Sequence, residues 1–421
     1  MDKQSVIIVG GGISGLYAAS LLGELCEVTI LEASDRFGGR ILDLKIEGFS
    51  SSLKYGAEFI HGEADLTFSL LNEAGISYSE VNGTTYRARK GKLLRSEMMM
   101  EGWDGLLEAM SQIERDMTLM EFLDTHFKHP ECKELRAETI RYAEGYDTAD
   151  PDRISVKALY KEWSEEDRTY QISPGYGVLA AYLIERCVKL GVQLHADCCV
   201  RNINWDGELC EVRTAMQTYS AHKVLVTVPL ARLTDTDENT KLSFFPPLND
   251  YKKAAGDIGF GAAIKIFASF STPIWPKDAA FLFSDQAIQT WWTQLPYTSN
   301  ILTGWAGGNY AKELSKLPEQ ELKQVALRSL AGTLGMSEAR VKSHLQAMAI
   351  ANWEQHKWIY GAYSYPTPRT TSARRLLNTP VADKIYFAGE ALSNEFSGTV
   401  EAALLSAKAM VTQMITSLRS A

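Results

Sequence analysis

Several features that would assign a function directly are missing from this sequence of 421 residues. Its net charge of −9 at pH 7 provides no basic face for phosphates, so we expect no nucleic-acid partner. Its six cysteines include no CxxC pair and no zinc-like spacing, which predicts no metal site and a reduced protein. No apolar run reaches the length of a membrane span, and the first strand pattern begins at Ser5, leaving no room for a signal peptide. These absences favour a cytoplasmic protein.

The first strand pattern, VIIVG, continues into a glycine-rich turn and a helix pattern. Its glycines fit G-x-G-x-x-G, which permits a tight turn, approach of the backbone to a pyrophosphate, and close packing of helix on strand. The second strand pattern ends in Glu32, about where an acidic residue binds the adenosine ribose. This segment predicts a dinucleotide site, with Gly10, Gly12, Ile13, Ser14, Gly15, Glu32 and Ala33 as contacts.

Directly after Glu32 the sequence reads ASDRFGGR. This resembles the flavoprotein pattern in which GGR closes against the FAD pyrophosphate, whereas nicotinamide dehydrogenases have no such requirement at this point. The resemblance favours FAD over NAD. It implies that Gly38 and Gly39 form the turn and that Arg40 lies against the phosphates with Arg36 nearby.

The resemblance becomes more specific in six further segments. They are YGAEFIHG from Tyr55, GYGVLAAYL from Gly175, VLVTVPLARL from Val224, LSFFPPLNDYKKAAGDIGFGAAIKIFASF from Leu242, IYFAGEALS from Ile385 and FSGTVEAALLSA from Phe396. In this order they resemble the flavin-dependent amine oxidase family, which includes monoamine oxidases, polyamine oxidases and flavin histone demethylases. The resemblance is dense at both ends of the chain and thin between about residues 80 and 170.

The first of these segments and a further segment, VRNINW from Val200, imply contacts along the flavin and the adenine. Gly56 and Ala57 would lie along the flavin, and Glu58 and Phe59 would begin the wall beside it. The backbone of Val200 would hold the adenine edge.

The last two segments imply contacts at the other edge of the flavin. Gly389 and Glu390 belong to the FAGE motif, whose carboxylate would bond the ribityl hydroxyls. The N–H groups of Thr399 and Val400 would face the flavin N1 and C2 carbonyl, because a helix N-terminus stabilises the negative charge that develops there. Ala402 stands where the family usually has glycine, a departure that would shift the packing slightly.

Two positions differ from monoamine oxidases. Those enzymes carry a flavin-linking cysteine where this chain has Ala362, so the resemblance implies non-covalent FAD. Tyr363 matches one wall of the aromatic cage in front of the flavin, while Thr399 falls where the opposite tyrosine would be. The cage would be half open, as in polyamine oxidases.

Lys265 lies in GFGAAIKIFASF, a run that is otherwise glycine, small residues and hydrophobes. From the residues alone, a lysine at a sheet edge is the simpler interpretation. The resemblance implies instead that Lys265 reaches flavin N5 through a water, with a pKa depressed by burial. On that view Lys265→Met, a nearly isosteric change, would leave the melting temperature close to that of the parent.

The length of the chain predicts two domains, and the strand and helix patterns predict an α/β fold. We expect a discontinuous, Rossmann-like FAD-binding domain made of residues 1–78, 172–238 and 356–421. A mixed α+β substrate-binding domain would comprise residues 79–171 and 239–355.

The reaction implied by the resemblance is oxidation of a carbon–nitrogen bond. Hydride would pass from a neutral amine to flavin N5, with O2 as electron acceptor, giving H2O2 and an imine that water hydrolyses to an aldehyde. Lys265 and Tyr363 are the predicted catalytic residues, and a small amine and O2 are the predicted partners. Three alternatives stay open: an L-amino-acid oxidase, an FAD-dependent desaturase of the same fold, and a non-enzymatic flavoprotein scaffold.

The sequence says least about the substrate. His61 follows the flavin-side strand and could face the amine. Glutamates could meet a polyamine, although such residues are more typically solvated, and an arginine could bind the carboxylate of an amino acid. The candidates are His61, Trp291, Trp292 and Trp305 along the substrate path, Glu58 and Glu63 as acidic contacts, and Arg87 and Arg89 as carboxylate ligands.

Overall fold

The structure is a computed structural model that describes residues 4–89, 91–96, 100–165 and 168–420. The helices are α1 (Ile13–Leu22), α2 (Asp65–Glu73), α3 (Trp103–Ser111), α4 (Leu119–His126), α5 (Lys133–Gly145), α6 (Val156–Trp163), α7 (Gly177–Lys189), α8 (Leu230–Thr234), α9 (Asn249–Asp257), α10 (Gly308–Leu314), α11 (Glu319–Leu334), α12 (Glu338–His344), α13 (Thr370–Leu377) and α14 (Val400–Ser420). Short 3₁₀ helices cover Pro130–Cys132, Trp353–Gln355 and Glu390–Leu392.

The strands are, in the same chain order, β1 (Ser5–Val9), β2 (Glu27–Leu31), β3 (Asp43–Leu44), β4 (Leu53–Lys54), β5 (Phe59–His61), β6 (Tyr78–Glu80), β7 (Thr84–Arg89), β8 (Lys92–Arg95), β9 (Thr169–Ile172), β10 (Gln193–His195), β11 (Val200–Asn204), β12 (Cys210–Thr214), β13 (Thr218–Ala221), β14 (Lys223–Val226), β15 (Ser243–Phe245), β16 (Gly259–Phe260), β17 (Ala263–Phe270), β18 (Ala279–Phe283), β19 (Thr290–Trp292), β20 (Ile301–Gly307), β21 (Leu345–Asn352), β22 (Ser364–Tyr365) and β23 (Ile385–Phe387).

A parallel five-stranded sheet, in the order β10-β2-β1-β14-β23, forms the first layer. Successive side chains of β1 point to opposite faces, so that Val6 and Ile8 join one buried cluster with α1, α7 and α14, while Ile7 and Val9 join another. A parallel sheet covered on both faces confirms the predicted α/β fold. Its strands come from three separate stretches of the chain, while the predicted domain boundaries themselves stay predictions.

A mixed seven-stranded sheet, in the order β21-β17-β20-β19-β18-β7-β8, forms the second layer. Strand β17 pairs with β20 on one side and with β21 on the other, and all eight of its residues are buried. The interpretation of Lys265 as a lysine at a sheet edge is therefore wrong. Ile264 and Ile266 point into the apolar cluster shared with α11, so the alternation along the strand places Lys265 on the opposite face.

A helical layer, α3 to α6, lies in the region where the family resemblance is thinnest. Its buried cluster includes Leu106, Phe122 and Leu159. Thr118 caps α4 through a reciprocal arrangement with Glu121, in which each side chain accepts a backbone N–H from the other residue. This layer closes one side of the cavity described below.

Helix α14 starts at the cavity and is anchored by its own first turn. Glu401, which is buried, accepts the backbone N–H groups of Leu66 and Thr67 and the hydroxyl of Thr67 at distances of 3.0, 2.7 and 2.6 Å. The carboxylate thus satisfies N–H groups that α2 would otherwise leave without acceptors. No helix in the described ranges is both long and apolar enough to cross a membrane.

Candidate functional site

One cavity of about 690 Å³ connects the carboxyl ends of the parallel strands with the seven-stranded sheet and the helical layer. Its walls include every residue that the sequence predicts for the cofactor except Gly15, both predicted catalytic residues, and His61, Trp292 and Trp305. Motifs that lie hundreds of residues apart in the chain therefore share one cavity.

The glycine-rich turn has three glycines with three different surroundings. Gly10 has φ +110°, a conformation that favours glycine. A Cβ on Gly15 would lie 2.1 Å from the carbonyl oxygen of Gly10, so Gly15 permits the helix to pack on the turn and does not line the cavity. A Cβ on Gly12, in contrast, would meet no described atom within 4 Å and would project into open space.

The start of α1 has the donors that an anionic group requires. Gly12 is the N-cap and offers no side-chain acceptor, so the first N–H groups of the helix face the cavity without a capping partner. The hydroxyl of Ser14 is buried and has no hydrogen-bond partner among the described atoms. The residues present therefore fit a pyrophosphate at this end of the cavity.

Glu32 is held in place at the end of β2. One of its oxygens accepts the N–H of Gly11 at 2.6 Å, and the other accepts both the N–H and the hydroxyl of Ser34 at 2.8 Å. A carboxylate has about four acceptor positions, so Glu32 retains capacity for the ribose hydroxyls that the sequence predicts as its partners.

The GGR loop is stabilised by Arg36. Its guanidinium donates to the carbonyl oxygens of Gly39 at 2.7 Å and Ile41 at 3.0 Å. Arg36 thus braces the loop in which Gly38 and Gly39 have positive φ, and it lines the cavity in that role.

Arg40 joins the GGR loop to two later segments of the chain. Its Nη1 donates to the carboxylate of Glu390 at 2.8 Å and to the carbonyl oxygen of Ala362 at 2.9 Å. The other oxygen of Glu390 accepts the hydroxyl of Ser364 at 2.5 Å. The predicted contact of Glu390 with ribityl hydroxyls would be made by a carboxylate whose two oxygens already accept bonds from the protein.

The turn before α14 engages one of the two N–H groups that were predicted to face the flavin. The N–H of Thr399 donates to the carbonyl oxygen of Phe396 at 3.2 Å, and its hydroxyl oxygen accepts the N–H of Ala402 at 3.1 Å. The N–H of Val400, the first helical residue, has no acceptor within the helix. The N–H of Val400 is therefore the stronger of the two candidates for a contact with the flavin.

Lys265 is surrounded by acceptors. Its Nζ donates to the carbonyl oxygens of Lys54 and Gly56, each at 2.9 Å, and to Oε2 of Glu58 at 2.8 Å. Burial lowers the pKa of Lys265, against the charge of Glu58, which raises it. The direction of the predicted pKa shift agrees with the structure, and the contact with flavin N5 through a water stays a prediction.

Glu58 is 4% exposed, so the expectation that this glutamate is solvated is wrong. Its Oε1 accepts the indole N–H of Trp292 at 3.1 Å and the side-chain amide of Gln171 at 3.3 Å, and Nζ of Lys54 lies 3.9 Å away. Burial alone would raise its pKa, but the charges of Lys265 and Lys54 outweigh burial, and the pKa of Glu58 is lowered.

Aromatic side chains form the wall opposite the dinucleotide motifs. The rings of Tyr363 and Trp305 are nearly parallel, with centroids 6.4 Å apart. The hydroxyl of Tyr363 donates to the carbonyl oxygen of Tyr146 at 2.7 Å, and Nε1 of Trp305 donates to that of Gly145 at 2.5 Å. Trp305 thus supplies a second ring beside Tyr363 on the cavity wall.

His61 lies between this aromatic wall and β9. Its ring is 6.3 Å from that of Tyr146, and its Nδ1 is 3.5 Å from the hydroxyl of Thr169. Burial lowers the pKa of His61 to about 4. The imidazole is therefore neutral near pH 7.

A pair of acids on the cavity wall was not found from the sequence. The carboxyl groups of Asp147 and Glu162 are hydrogen-bonded to each other, and Oδ2 of Asp147 also accepts the indole N–H of Trp163 at 3.2 Å. Burial, and then the neighbouring Glu162, raises the pKa of Asp147 well above its usual range. A direct hydrogen bond between two carboxyl groups requires that one of them carry a proton.

The other substrate-side candidates differ in whether they line the cavity. Trp291 is fully buried in the core of the second layer, so it does not line the substrate path. Glu63 is exposed and away from the cavity, and Arg89 pairs with Glu138 near the surface. Arg87 lines the cavity, where burial lowers its pKa and its guanidinium lies over the ring of Phe283.

Sequence reasoning missed several side chains of the walls, most of which belong to no motif; Ser34 and Arg232 lie inside the quoted segments ASDRFGGR and VLVTVPLARL but were given no role. One signal was available in the helical layer. Tyr142 and Tyr146 lie one helical turn apart at the end of α5, which could have indicated that this face of the helix lines a site. The missed residues are Ser34, Tyr142, Tyr146, Asp147, Glu162, Arg232, Gln289, Trp353, His356 and Trp358.

No group of three or more His, Cys, Asp or Glu side chains is placed to hold a metal ion in the part of the chain that the structure describes.

Comparison with known proteins identifies the family. The family model described as flavin containing amine oxidoreductase matches residues 13–415. Polyamine oxidase 4 of Oryza sativa subsp. japonica is 27% identical, over 96% of this chain and 86% of that protein. Lysine-specific histone demethylase 2 of Homo sapiens is 26% identical over 96% of this chain, which spans 52% of that protein. The structure of putrescine oxidase bound to putrescine has a TM-score of 0.80 and 21% identity, with 98% and 99% of the two chains covered, and shows the shared fold.

Proposed function

This chain belongs to the flavin-containing amine oxidoreductase family, and from that premise we propose that it oxidises a carbon–nitrogen bond of a small cationic amine with non-covalently bound FAD and O2. The products would be H2O2 and an imine, which water hydrolyses to an aldehyde and an amine or ammonia. We also propose the two-domain organisation expected from the sequence, with the cavity between the discontinuous FAD-binding domain and the substrate-binding domain.

The observation that carries this proposal is that the two ends of one cavity have different chemistry. One end combines the start of α1, Ser14 and Glu32, which fit the phosphates and ribose of a dinucleotide. The other end combines aromatic rings with the acid pair of Asp147 and Glu162. The first arrangement suits FAD, and the second suits an amine with an apolar body.

FAD, when bound, would supply the acceptor for the hydride. The chain's own residues would bind and orient the amine. The rings of Tyr363 and Trp305 are fixed by hydrogen bonds to backbone carbonyls, so they can exclude water from one side of the reacting carbon. His61 is neutral, and the acid pair attracts the protonated amine and can accept a proton from it.

The acid pair favours amines over free α-amino acids. If the carboxylate of an amino acid lay beside Asp147 and Glu162, any negative charge on the pair would repel it, and like charges placed together cost several kcal/mol. The relatives include proteins named polyamine oxidase and putrescine oxidase, whose substrates would carry a second ammonium group. We therefore propose diamines and polyamines as the first substrates to test.

An amine panel tests this function directly. We expect diamines to bleach the bound flavin without O2 at least about 10-fold faster than the matching α-amino acids, because a repulsion of only 1.4 kcal/mol already corresponds to a factor of ten. Anaerobic stopped-flow mixing of amino acids and their decarboxylated amines measures this ratio, and peroxide release in air confirms turnover.

The opposite ratio would move the assignment to an amino-acid oxidase, in which Arg87 holds the carboxylate at the cavity wall. A protein that binds FAD but is bleached by no amine or amino acid would contradict the enzymatic proposal and support the scaffold alternative. Aldehyde or ammonia among the products distinguishes amine oxidation from desaturation.

The flavin is expected to leave the protein completely on denaturation. Ala362 lines the cavity and has no atom that could form a thioether with the flavin. Acid precipitation followed by absorbance of pellet and supernatant measures the distribution, and we expect essentially all of the colour in the supernatant. Colour retained in the pellet would contradict non-covalent binding, and a protein unable to take up FAD would contradict the choice of cofactor.

A further inference from the structure

The cavity continues beyond the aromatic wall along one face of the seven-stranded sheet. Five of its lining residues lie directly opposite one another on the neighbouring strands β17, β20, β19, β18 and β7. In that order they are Lys265, Trp305, Thr290, Phe283 and Arg87. Because neighbouring strands lie about 4.8 Å apart, the backbone of Arg87 is about 14 Å from that of Trp305. The row therefore leads from the aromatic wall to a guanidinium group.

Helix α5 covers this row from the other side. Four of its residues line the cavity, and their spacing places them on one face of the helix. They are Glu138, Arg141, Tyr142 and Gly145. At one end of this face, Nε1 of Trp305 donates to the carbonyl oxygen of Gly145 at 2.5 Å. At the other end, the carboxylate of Glu138 lies 3.3 Å from the guanidinium of Arg89, the last residue of β7. The strand row and this face of α5 enclose a passage that we call the distal channel.

The lining of the distal channel changes along its length. Uncharged side chains form its middle, namely Thr290, Phe283 and Tyr142. Burial and the charge of Asp147 raise the pKa of Tyr142, whereas Arg87 acts on it in the opposite direction. The ring of Tyr142 therefore lies between the acid pair and the far end of the channel. The charged residues that line this far end are Arg87, Glu138 and Arg141.

The far end has an excess of positive charge among the described residues. Glu138 pairs with Arg89 and also acts on Arg87. Glu144, which lies behind the lining, acts on Arg141. Three guanidinium groups thus face two carboxyl groups, and arginine stays charged inside proteins. One positive charge remains in excess however the pairs are assigned, and protonation of either carboxyl group would only increase that excess.

We propose that the distal channel binds the far end of the amine substrate, and that Arg87 is a specificity-determining residue that selects a carboxylate there over a second ammonium group. This inference rests on the proposed function and narrows its substrate, because short diamines end before the guanidinium groups and long amines reach them. One excess positive charge matches one carboxylate, which a guanidinium binds through two parallel hydrogen bonds. An ammonium group in the same place would meet a like charge.

The test varies the length of a terminal amine and the charge of its far end separately. The compounds are a four-carbon and a twelve-carbon α,ω-diamine and the ω-amino carboxylic acids of the same two lengths. Anaerobic stopped-flow mixing below saturation gives the rate of flavin reduction for each compound. For the four-carbon pair we expect no preference for the acid. For the twelve-carbon pair we expect the acid to react at least about 10-fold faster than the diamine, a difference of about 1.4 kcal/mol.

Three variants assign this preference to the far end of the channel. Arg87→Met should remove most of it, because the excess charge is lost, and Glu138→Gln should strengthen it, because a carboxylate is lost from the same place. Arg95→Met is the matched control, since Arg95 lies on the neighbouring strand β8 and pairs with Asp278 outside the cavity. It should keep the twelve-carbon ratio of the parent.

Two results would overturn the inference. One is a twelve-carbon diamine that reacts as fast as the acid in the parent, a comparison that needs no variant to fold. The other is a preference for the acid that persists in folded Arg87→Met.

Binding measurements separate this inference from the proposed function. If no compound reduces the flavin, the proposed function fails, and the same compounds are then unreacted ligands whose Kd calorimetry measures. The twelve-carbon acid should still bind at least about 10-fold more tightly than the diamine. Equal Kd values, or no binding of either compound, would overturn the inference. Flavin reduction by every amine without a change of preference with length would overturn the inference alone and leave the proposed function standing.

Discussion

Lys265→Met is expected to destabilise the folded protein by about 3–5 kcal/mol, the cost typical of removing one partner from a buried ion pair. The side chains of Lys265 and Glu58 are only 4% and 2% exposed, and their charged atoms lie 2.8 Å apart. Methionine fills the volume of lysine but leaves Glu58 buried with two neutral donors and with Lys54 at 3.9 Å. The expectation from sequence, that this nearly isosteric change keeps the melting temperature, did not include the carboxylate left behind.

Chemical denaturation of the apoprotein measures this loss of stability, and two further variants test whether it comes from the buried carboxylate left without its partner. Lys265→Met/Glu58→Gln should regain part of the lost stability, because the carboxylate of Glu58 no longer lies buried without Lys265, although buried Lys54 then lacks the carboxylate 3.9 Å away. Lys223→Met removes another buried strand lysine, but its partner Asp383 is 57% exposed and can be hydrated, so the loss should be smaller. A Lys265→Met protein as stable as the parent would mean that the two side chains are not an ion pair.

The residues that the sequence assigns to the cofactor, except Gly15, line one end of the cavity because their motifs act locally. Gly10 must adopt a positive φ where the chain turns, Gly15 must lack a Cβ where the helix meets that turn, and each requirement is met within a few residues. Such local constraints survive in any protein that uses the turn. The family resemblance then placed the distant segments, which pair and pack as one site.

The sequence could not predict features that depend on which distant segments meet. Glu58 and Lys265 are 207 residues apart, and their contact follows from the position of β17 between β20 and β21 in the second sheet. Adjacent strand residues face opposite sides, yet periodicity alone does not tell which of Trp291 and Trp292 faces the cavity. The acid pair was missed for a related reason, since it joins Asp147 to a helix of the layer without motifs.

Gly12→Ala is expected to weaken FAD binding about 10–100-fold while the apoprotein stays folded. Gly12 has φ −73° and ψ 178°, which alanine adopts without strain, and the added Cβ would meet no described atom within 4 Å. The methyl group would instead occupy the space at the start of α1 where the pyrophosphate is proposed to lie. Crowding of a close contact by one methyl group typically costs about 1–3 kcal/mol, a range that includes the stated loss of affinity.

The FAD affinities of the parent and of Gly12→Ala are measured by titrating each apoprotein with FAD and monitoring the quenching of flavin fluorescence. Thermal melts of the two apoproteins control for folding. Gly105→Ala is the matched control: Gly105 lies in α3, is exposed, and is likewise a position where a Cβ would meet no described atom within 4 Å. That variant should bind FAD like the parent and be slightly more stable, since alanine exceeds glycine in helix propensity by up to about 1 kcal/mol. Gly12→Ala protein that melts like the parent and binds FAD equally well would show that the open space beside Gly12 is not where the phosphates bind. A variant that loses both FAD and its fold would show that Gly12 is needed for packing, as Gly15 is. We do not expect this outcome, because a Cβ on Gly12 would meet no described atom within 4 Å.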